Sequence, residues 1–533
     1  MAAQKPSTGQ TESQTEAIII TAILIGGIFL GWLYSLCLKL AKAAEGTITE
    51  VFITFLRNRI NRYPLTPAET TATIYFFSII IVATSLIIAA WMRISRYLSK
   101  KRIERSVKKR HASEFGTSEL SKLSDIKPVL GNDGVVIGAV KQFGRLKPVR
   151  LSARYSYEHS AVIGPTGCGK SSCFFLPNLL MLAPQTSAVV TDPKGELEAE
   201  TTDYLRKKGW EIYRFSPFAP ERSCGYDPLK CTKSDIEITD IADIILKNGY
   251  DTEGRAGDTQ WINFSVPLLE AVLYAAKQEG GENAVIYDAV KYVTEYTEEM
   301  RAERFKKLGG FAREKYMMYL QSIESPETAS SIRTVLTSAV RIFTRQDIRN
   351  VAFQEPLIDF TELRKKPIVL FVQLPERKAH LLKPLMATFF WQMLEQITDT
   401  PGNPIFFFLD EFPNIGKIPG FAEMAATLRS RKISLNVGMQ GIEQLAREYS
   451  EQEQKDILNN LKTKIFFPGS SGESGEYVSN LSGYSTIKKN DMEQRVELLS
   501  AAELRTIPDG KILAMLRNYP PILLDTLFYK ALL

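Results

Sequence analysis

Histidine is nearly absent from this chain, with three in 533 residues. Five cysteines, at 37, 168, 173, 224 and 231, show no ligand-like spacing. These scarcities leave little material for a histidine or thiolate metal centre, and the cysteine usage fits a reducing compartment. A strong charge imbalance is missing too. The formal net charge is only +6, so an argument for nucleic-acid binding has to rest on where charge is concentrated. Length imposes no such limit: the chain can hold two or three domains and a large core.

Two stretches lack charge altogether. Ala17 to Leu38 and Thr70 to Met92 contain no Asp, Glu, Lys or Arg, and each is long enough to cross about 30 Å of hydrocarbon. As a secretory signal the first would need a basic leader, but its flank holds Lys5 against Glu12 and Glu16. The second lies too deep in the chain for that role. A buried hairpin inside a soluble core is the other way to use two such segments. After Met92, nine basic residues fall between Arg93 and Arg110. The positive-inside bias puts that end in the cytoplasm, with both termini cytoplasmic and residues 39–69 outside. The basic run suits anionic headgroups, and it can also lie near a nucleic-acid path.

From Ser160 the texture is α/β. The strand-like SAVIG runs into GPTGCGKSS and then an apolar helical stretch. This places GxxxxGK[ST] at a strand-to-helix junction. Gly164, Gly167 and Gly169 let the backbone wrap a phosphate, Lys170 reaches the β/γ-phosphates, and the Ser171 hydroxyl faces Mg²⁺. SAVVT (187–191) and WEIYRF (210–215) continue the pattern, and PIVLFVQL, PIFFFLD, KISLNVG and TKIFFPG resume it after residue 348. KILAML and the PPILLDTLFYK tail add terminal strands. Ser234 to about Ile348 reads as charged amphipathic helix throughout, an all-helical insertion between strands of one nucleotide domain.

PIFFFLD ends in Asp410-Glu411. An acid at the C-terminal end of a buried strand lies on the sheet edge used for ligands. There Asp410 is the Mg²⁺ partner of Ser171, and Glu411 can polarise an attacking water. Gln440, after KISLNVGM, suits a polar sensor of the γ-phosphate, although a turn residue would look the same. Arg429 and Arg431 precede that strand, where an arginine of one subunit can reach the ATP of its neighbour.

The set GPTGCGKSS (164–172), TDPKGE (191–196), YDPL (226–229), FFFLDEFPNIGKIP (406–419), RKISLNVGMQGIEQL (431–445) and LRTIPDG (504–510) resembles the type IV secretion coupling proteins, the VirD4/TraG-like group of conjugation and secretion ATPases. The resemblance runs from about residue 17 to the end. It implies an inner-membrane, Mg²⁺-dependent ATPase that forms a homo-hexamer of RecA-like motor domains around a channel. An all-α domain and an N-terminal two-helix transmembrane hairpin complete each subunit. Its implied partners are a relaxase attached to single-stranded DNA, relaxosome accessory proteins, and inner-membrane components of the secretion channel. Residue by residue, Gly164-Pro165-Thr166-Gly167-Cys168-Gly169-Lys170-Ser171-Ser172 falls on the Walker A segment and Asp410-Glu411 on Walker B. Gln440 falls on the glutamine after the later core strand, and Arg431 on a suspected arginine finger. Asp192 and Lys194 lie in the DPKGE segment beside the nucleotide. Cys168 stands where many members have Ser or Arg, and Ser171 where some have Thr; neither change removes a required ligand. The chain ends at Leu533, without the long acidic or disordered tail of some relatives.

The expected organisation is a cytoplasmic tail (1–16), a transmembrane hairpin (17–92), and a basic juxtamembrane region with the start of the motor (93–159). The RecA-like domain follows in two parts (160–233 and 349–533), with the all-α domain (234–348) between them. Three functions compete: a motor passing relaxase-bound single-stranded DNA or protein effectors to a secretion channel, an FtsK-like pump for double-stranded DNA, and a receptor that leaves the work to other ATPases. The helical insertion fits the second poorly, and intact Lys170, Asp410 and Glu411 argue against the third.

Overall fold

The computed structural model describes residue 57 and residues 118–250, 258–323, 325–470, 472–489 and 492–533. The chain divides into a unit of residues 1–109, where only Arg57 is described and is helical, and a unit of residues 110–533. Apart from Arg57, the expected tail, transmembrane hairpin and basic run to Arg110 lie outside the described residues. Among the described residues no helix is long and apolar enough to cross a membrane.

The strands of the second unit are β1 (Val136–Gln142), β2 (Arg145–Arg150), β3 (Ser160–Ile163), β4 (Ser187–Thr191), β5 (Glu211–Phe215), β6 (Ile368–Val372) and β7 (Ile405–Leu409). β8 (Ile433–Met439), β9 (Thr463–Phe466), β10 (Tyr484–Lys489), β11 (Met492–Glu497), β12 (Lys511–Leu516) and β13 (Ile522–Asp525) follow. Eleven of them form one sheet in the order β2-β1-β13-β12-β9-β3-β8-β7-β4-β6-β5. From β9 to β5 all neighbours are parallel. β12, β13, β1 and β2 extend the sheet by antiparallel pairing.

The parallel part is covered on both faces, which is why its strands are apolar at successive positions rather than at every second one. In β7, Ile405, Phe407 and Leu409 enter one core while Phe406 and Phe408 enter the other. Side-chain alternation along a strand requires this split. One strand, β8, separates the P-loop strand β3 from the acidic strand β7. The C-terminal ends of all three therefore share one edge, and that edge carries the site.

Between β5 and β6 the chain is helical, from Ile236–Gly249 through Asp258–Gly280, Ile286–Thr294, Glu298–Lys307, Gly310–Ser322 and Pro326–Val340 to Gln346–Val351. Ile236–Gly249 packs on Asp258–Gly280 and Pro326–Val340, and also on Ala379–Asp399, the helix between β6 and β7. It thus belongs to two packing layers at once. The YDPL segment ties the same region to the sheet. The Asp227 carboxylate accepts the backbone N–H groups of Leu229 and Ile286 at 2.9 and 3.0 Å, and the Tyr226 hydroxyl donates to Gln392 at 2.6 Å. Buried polar groups need such partners, so Asp227 ties the start of the helical segment to the helix Ile286–Thr294, and Tyr226 ties it to the helix Ala379–Asp399 beneath the sheet.

Candidate nucleotide site

The P-loop follows β3 directly. Gly167 and Gly169 have φ of 82° and 97°, conformations that side chains rarely adopt. Gly164 is required for another reason: a Cβ there would lie 2.6 Å from Phe467 Cβ and 2.7 Å from Cys168 Sγ. The loop enters a π-helical turn, Ser171–Phe175, and then the helix Leu176–Leu180. The apolar stretch read as a single helix therefore begins with a wider turn.

Lys170 is 6% exposed, and its Nζ donates to the Gly164 carbonyl at 2.7 Å. The same Nζ lies 3.8 Å from Glu411 Oε1. Ser171 Oγ donates to Asp410 Oδ2 at 2.9 Å, although the two residues are 239 positions apart. Thr191 Oγ1 donates to the Asp410 carbonyl at 2.7 Å and so pins the end of β7 from β4. Glu411 adopts φ 54°, an uncommon conformation for a residue with a side chain. Gln440 Nε2 approaches both Glu411 carboxylate oxygens at 3.3 Å. Five residues from three strand ends therefore meet at one place.

A cleft of about 500 Å³ has Pro165, Thr166, Gly167, Gly169, Lys170, Ser171, Ser172, Asp192, Lys194, Asp410 and Glu411 in its wall, whereas Gln440 is outside that wall and meets it through Glu411. Asp192 is buried there, and its Oδ2 accepts the Glu198 backbone N–H at 2.8 Å, capping the helix Glu196–Lys207. Cys168 is not in the wall, because its sulfur turns back against Gly164. Burial pushes its thiol pKa up, so it is no reactive thiolate. Leu176, Pro193, Leu197, Glu196, Glu200, Glu376 and Tyr529 complete the lining. Glu196 closes the TDPKGE segment, but sequence reasoning missed Glu200, Glu376 and Tyr529. Tyr529 comes from the C-terminal tail, where no motif marks it.

Burial raises the pKa values of Asp410 and Glu411 above the usual carboxylate range. The Ser171 hydrogen bond and Lys170 oppose this at Asp410, and Lys170 opposes it at Glu411. Carboxylates outnumber cations in the lining, with Lys170 and Lys194 facing Asp192, Glu196, Glu200, Glu376, Asp410 and Glu411. A polyphosphate entering such a cleft requires a divalent cation. Among the described residues no cluster of three or more His, Cys, Asp or Glu could hold one alone. A hydroxyl and one carboxylate with substrate phosphates and waters are the ligands Mg²⁺ prefers. Ser171 and Asp410 fit it.

Arg431 is not brought to the cleft of its own chain. It precedes β8, whereas Gln440 follows that strand, and seven residues of strand separate the two edges by roughly 23 Å. Its carbonyl accepts from Arg364 Nη2 at 2.9 Å, and its side chain is exposed. Arg429 is held locally by Glu158 at 2.7 Å.

Comparison with known proteins follows the same lines. Residues 126–530 match the family described as type IV secretory system conjugative DNA transfer. The conjugal transfer protein TraG of Escherichia coli is 26% identical over 368 residues, covering 63% of this chain and 56% of TraG. VirD4 of Agrobacterium fabrum is 23% identical over 410 residues, covering 70% of this chain and 58% of VirD4. The chain thus spans little more than half the length of these relatives. Among solved structures, the plasmid coupling protein TrwB in complex with the non-hydrolysable ATP analogue ADPNP superposes with a TM-score of 0.61 at 17% identity, over 78% of this chain and 95% of TrwB. TrwB in complex with ADP and Mg²⁺ gives the same score. The mixed α/β fold with its large parallel sheet is that of TrwB. With the family match covering most of its length and the P-loop and acidic strand end meeting at one edge, the chain belongs to the type IV secretory system conjugative DNA transfer family.

Proposed function

We propose that this protein is an inner-membrane ATPase that couples relaxase-bound single-stranded DNA to a type IV secretion channel and drives its transfer. The observation that carries the reading is the meeting of Lys170, Ser171, Asp410, Glu411 and Gln440 at one sheet edge, in a chain of a DNA-transfer family. Nucleotide-bound TrwB supports ATP and Mg²⁺ as the ligands.

Each residue then has a distinct task. The P-loop amides and Lys170, released from the Gly164 carbonyl, bind the β/γ-phosphates. Ser171 and Asp410 would hold Mg²⁺, which would neutralise charge on the phosphates. Glu411 orients the attacking water, and burial beside Asp410 favours its acceptance of a proton. Gln440 holds Glu411 in place and sits at the end of β8, so loss of the γ-phosphate can pass into that strand. Arg431, at the far end of β8, acts on the nucleotide of a neighbouring subunit in a homo-hexamer. The segments at 17–38 and 70–92 anchor the motor, with both termini cytoplasmic.

The test is Glu411→Gln in the full-length protein. It should bind ATP as the wild type does and hydrolyse it on the order of 10²–10⁴-fold more slowly, the range for losing a general base. Loss of nucleotide binding in that variant would sink the assigned role.

A further inference from the structure

The β1–β2 hairpin carries a feature that nucleotide chemistry does not use. Its turn is Phe143-Gly144, with φ of 51° and 78°. Turns with positive φ at both central positions favour Asn-Gly, and a bulky residue at the first is disfavoured. Phe143 gains nothing from packing in return, because it is 98% exposed. Lys141, Arg145 and Lys147 flank it, all exposed and without an ion pair among the described residues. Residues 134–157 contain five cations and no Asp or Glu.

Strand directions locate this tip. β9 runs parallel to β3, β12 antiparallel to β9, β13 antiparallel to β12, and β1 antiparallel to β13. β1 therefore descends away from the nucleotide edge, and Phe143 projects from the opposite one. Lys432, Lys462 and the β12–β13 turn at Arg517 lie on that same edge. So does the point where the chain enters the unit: Ser121 N and Oγ donate to the carbonyls of Pro521 and Pro520 at 2.7 and 2.8 Å.

We propose that the β1–β2 hairpin docks on an anionic phospholipid surface, with Phe143 in the headgroup region and Lys141, Arg145 and Lys147 against lipid phosphates. This rests on the membrane anchoring in the function proposed above. An apolar tip ringed by unpaired cations is the composition that binds interfaces, and each cation near an anionic surface adds to the attraction. Single-stranded DNA would need a groove and successive stacking platforms, and the hairpin offers one aromatic ring at a projecting tip. Ser121, held at this edge, follows the basic run 93–110 closely in sequence.

The experiment places a photoreactive benzoylphenylalanine at position 143 of the full-length protein, in nanodiscs with or without phosphatidylglycerol. A control probe goes at Asp509, exposed on the nucleotide edge. The expected result is a lipid adduct at 143 but not at 509, enriched in the anionic discs. It should fall several-fold when Lys141, Arg145 and Lys147 are all changed to Gln. Crosslinking of 143 to an added single-stranded oligonucleotide in place of lipid would overturn the proposal, as would no adduct at all. Carbonate extraction separates the two readings. A chain that resists extraction but gives no lipid adduct defeats the hairpin proposal alone. One that is extracted yet crosslinks to anionic lipid defeats the anchoring and leaves the hairpin proposal standing.

Discussion

Ser171 Oγ donates to Asp410 Oδ2 at 2.9 Å, joining the P-loop to the end of β7. The pair needs no third protein ligand to receive Mg²⁺, because phosphates and waters supply the rest. Ser171→Ala and Asp410→Asn should therefore raise the Mg²⁺ concentration for half-maximal ATP hydrolysis, by a factor on the order of 10–100. Ser171→Thr, which keeps the hydroxyl, should behave as wild type. An unchanged Mg²⁺ requirement in both disruptive variants would remove these residues from the metal site.

Buried carboxylates make the nucleotide-free site a liability above acid pH. Asp410 and Glu411 have folded-state pKa values raised mainly by burial. The folded protein thus holds their protons more tightly than the unfolded chain. The associated stability is complete below the unfolded pKa values and is lost as pH rises through the folded ones. Glu411→Gln removes one of the two charges, so without nucleotide it should melt about 1–2 °C higher than wild type at pH 8. The gain should shrink toward pH 4. Thermal melts at the two pH values decide it, and a lower melting temperature for the variant at pH 8 would refute the assignment.

Arg431 lies at the edge of the sheet opposite its own cleft, so any effect on hydrolysis has to be exerted in trans. Assemblies mixing Arg431→Ala subunits with Lys170→Ala subunits test this. Two inactive partners should regain turnover where an intact arginine faces an intact P-loop. Turnover that never exceeds the weighted sum of the separate variants would count against the role.

Much of the sheet and its site was legible because its signals are local. Both acids stand at the end of an unbroken apolar run, Phe406 to Leu409, and the glycines are imposed by the phosphate loop. β3, β4, β6, β7 and β8 read clearly because burial on both faces leaves them almost wholly apolar, and their few polar side chains, Ser160, Ser187, Thr191, Ser434 and Asn436, are all hydrogen-bonded. The β10–β11 hairpin was not legible. Its strands, YSTIKK and MEQRVE, are mostly polar and stand outside the main sheet, so no apolar alternation announces them. Tyr529 was hidden for a different reason. It reaches the cleft only because the tail folds back after β13, a tertiary contact with no sequence signature. The placement of Arg431 likewise depended on strand direction, which residue spacing does not convey.

The central claim, that this cleft burns ATP to move DNA, is tested most directly by turnover of the full-length protein in nanodiscs with and without single-stranded DNA. The account predicts hydrolysis that rises with single-stranded DNA and falls on the order of 10²–10³-fold in Lys170→Ala, the scale for losing one transition-state charge contact. Hydrolysis that ignores DNA and survives the loss of Lys170 would contradict it.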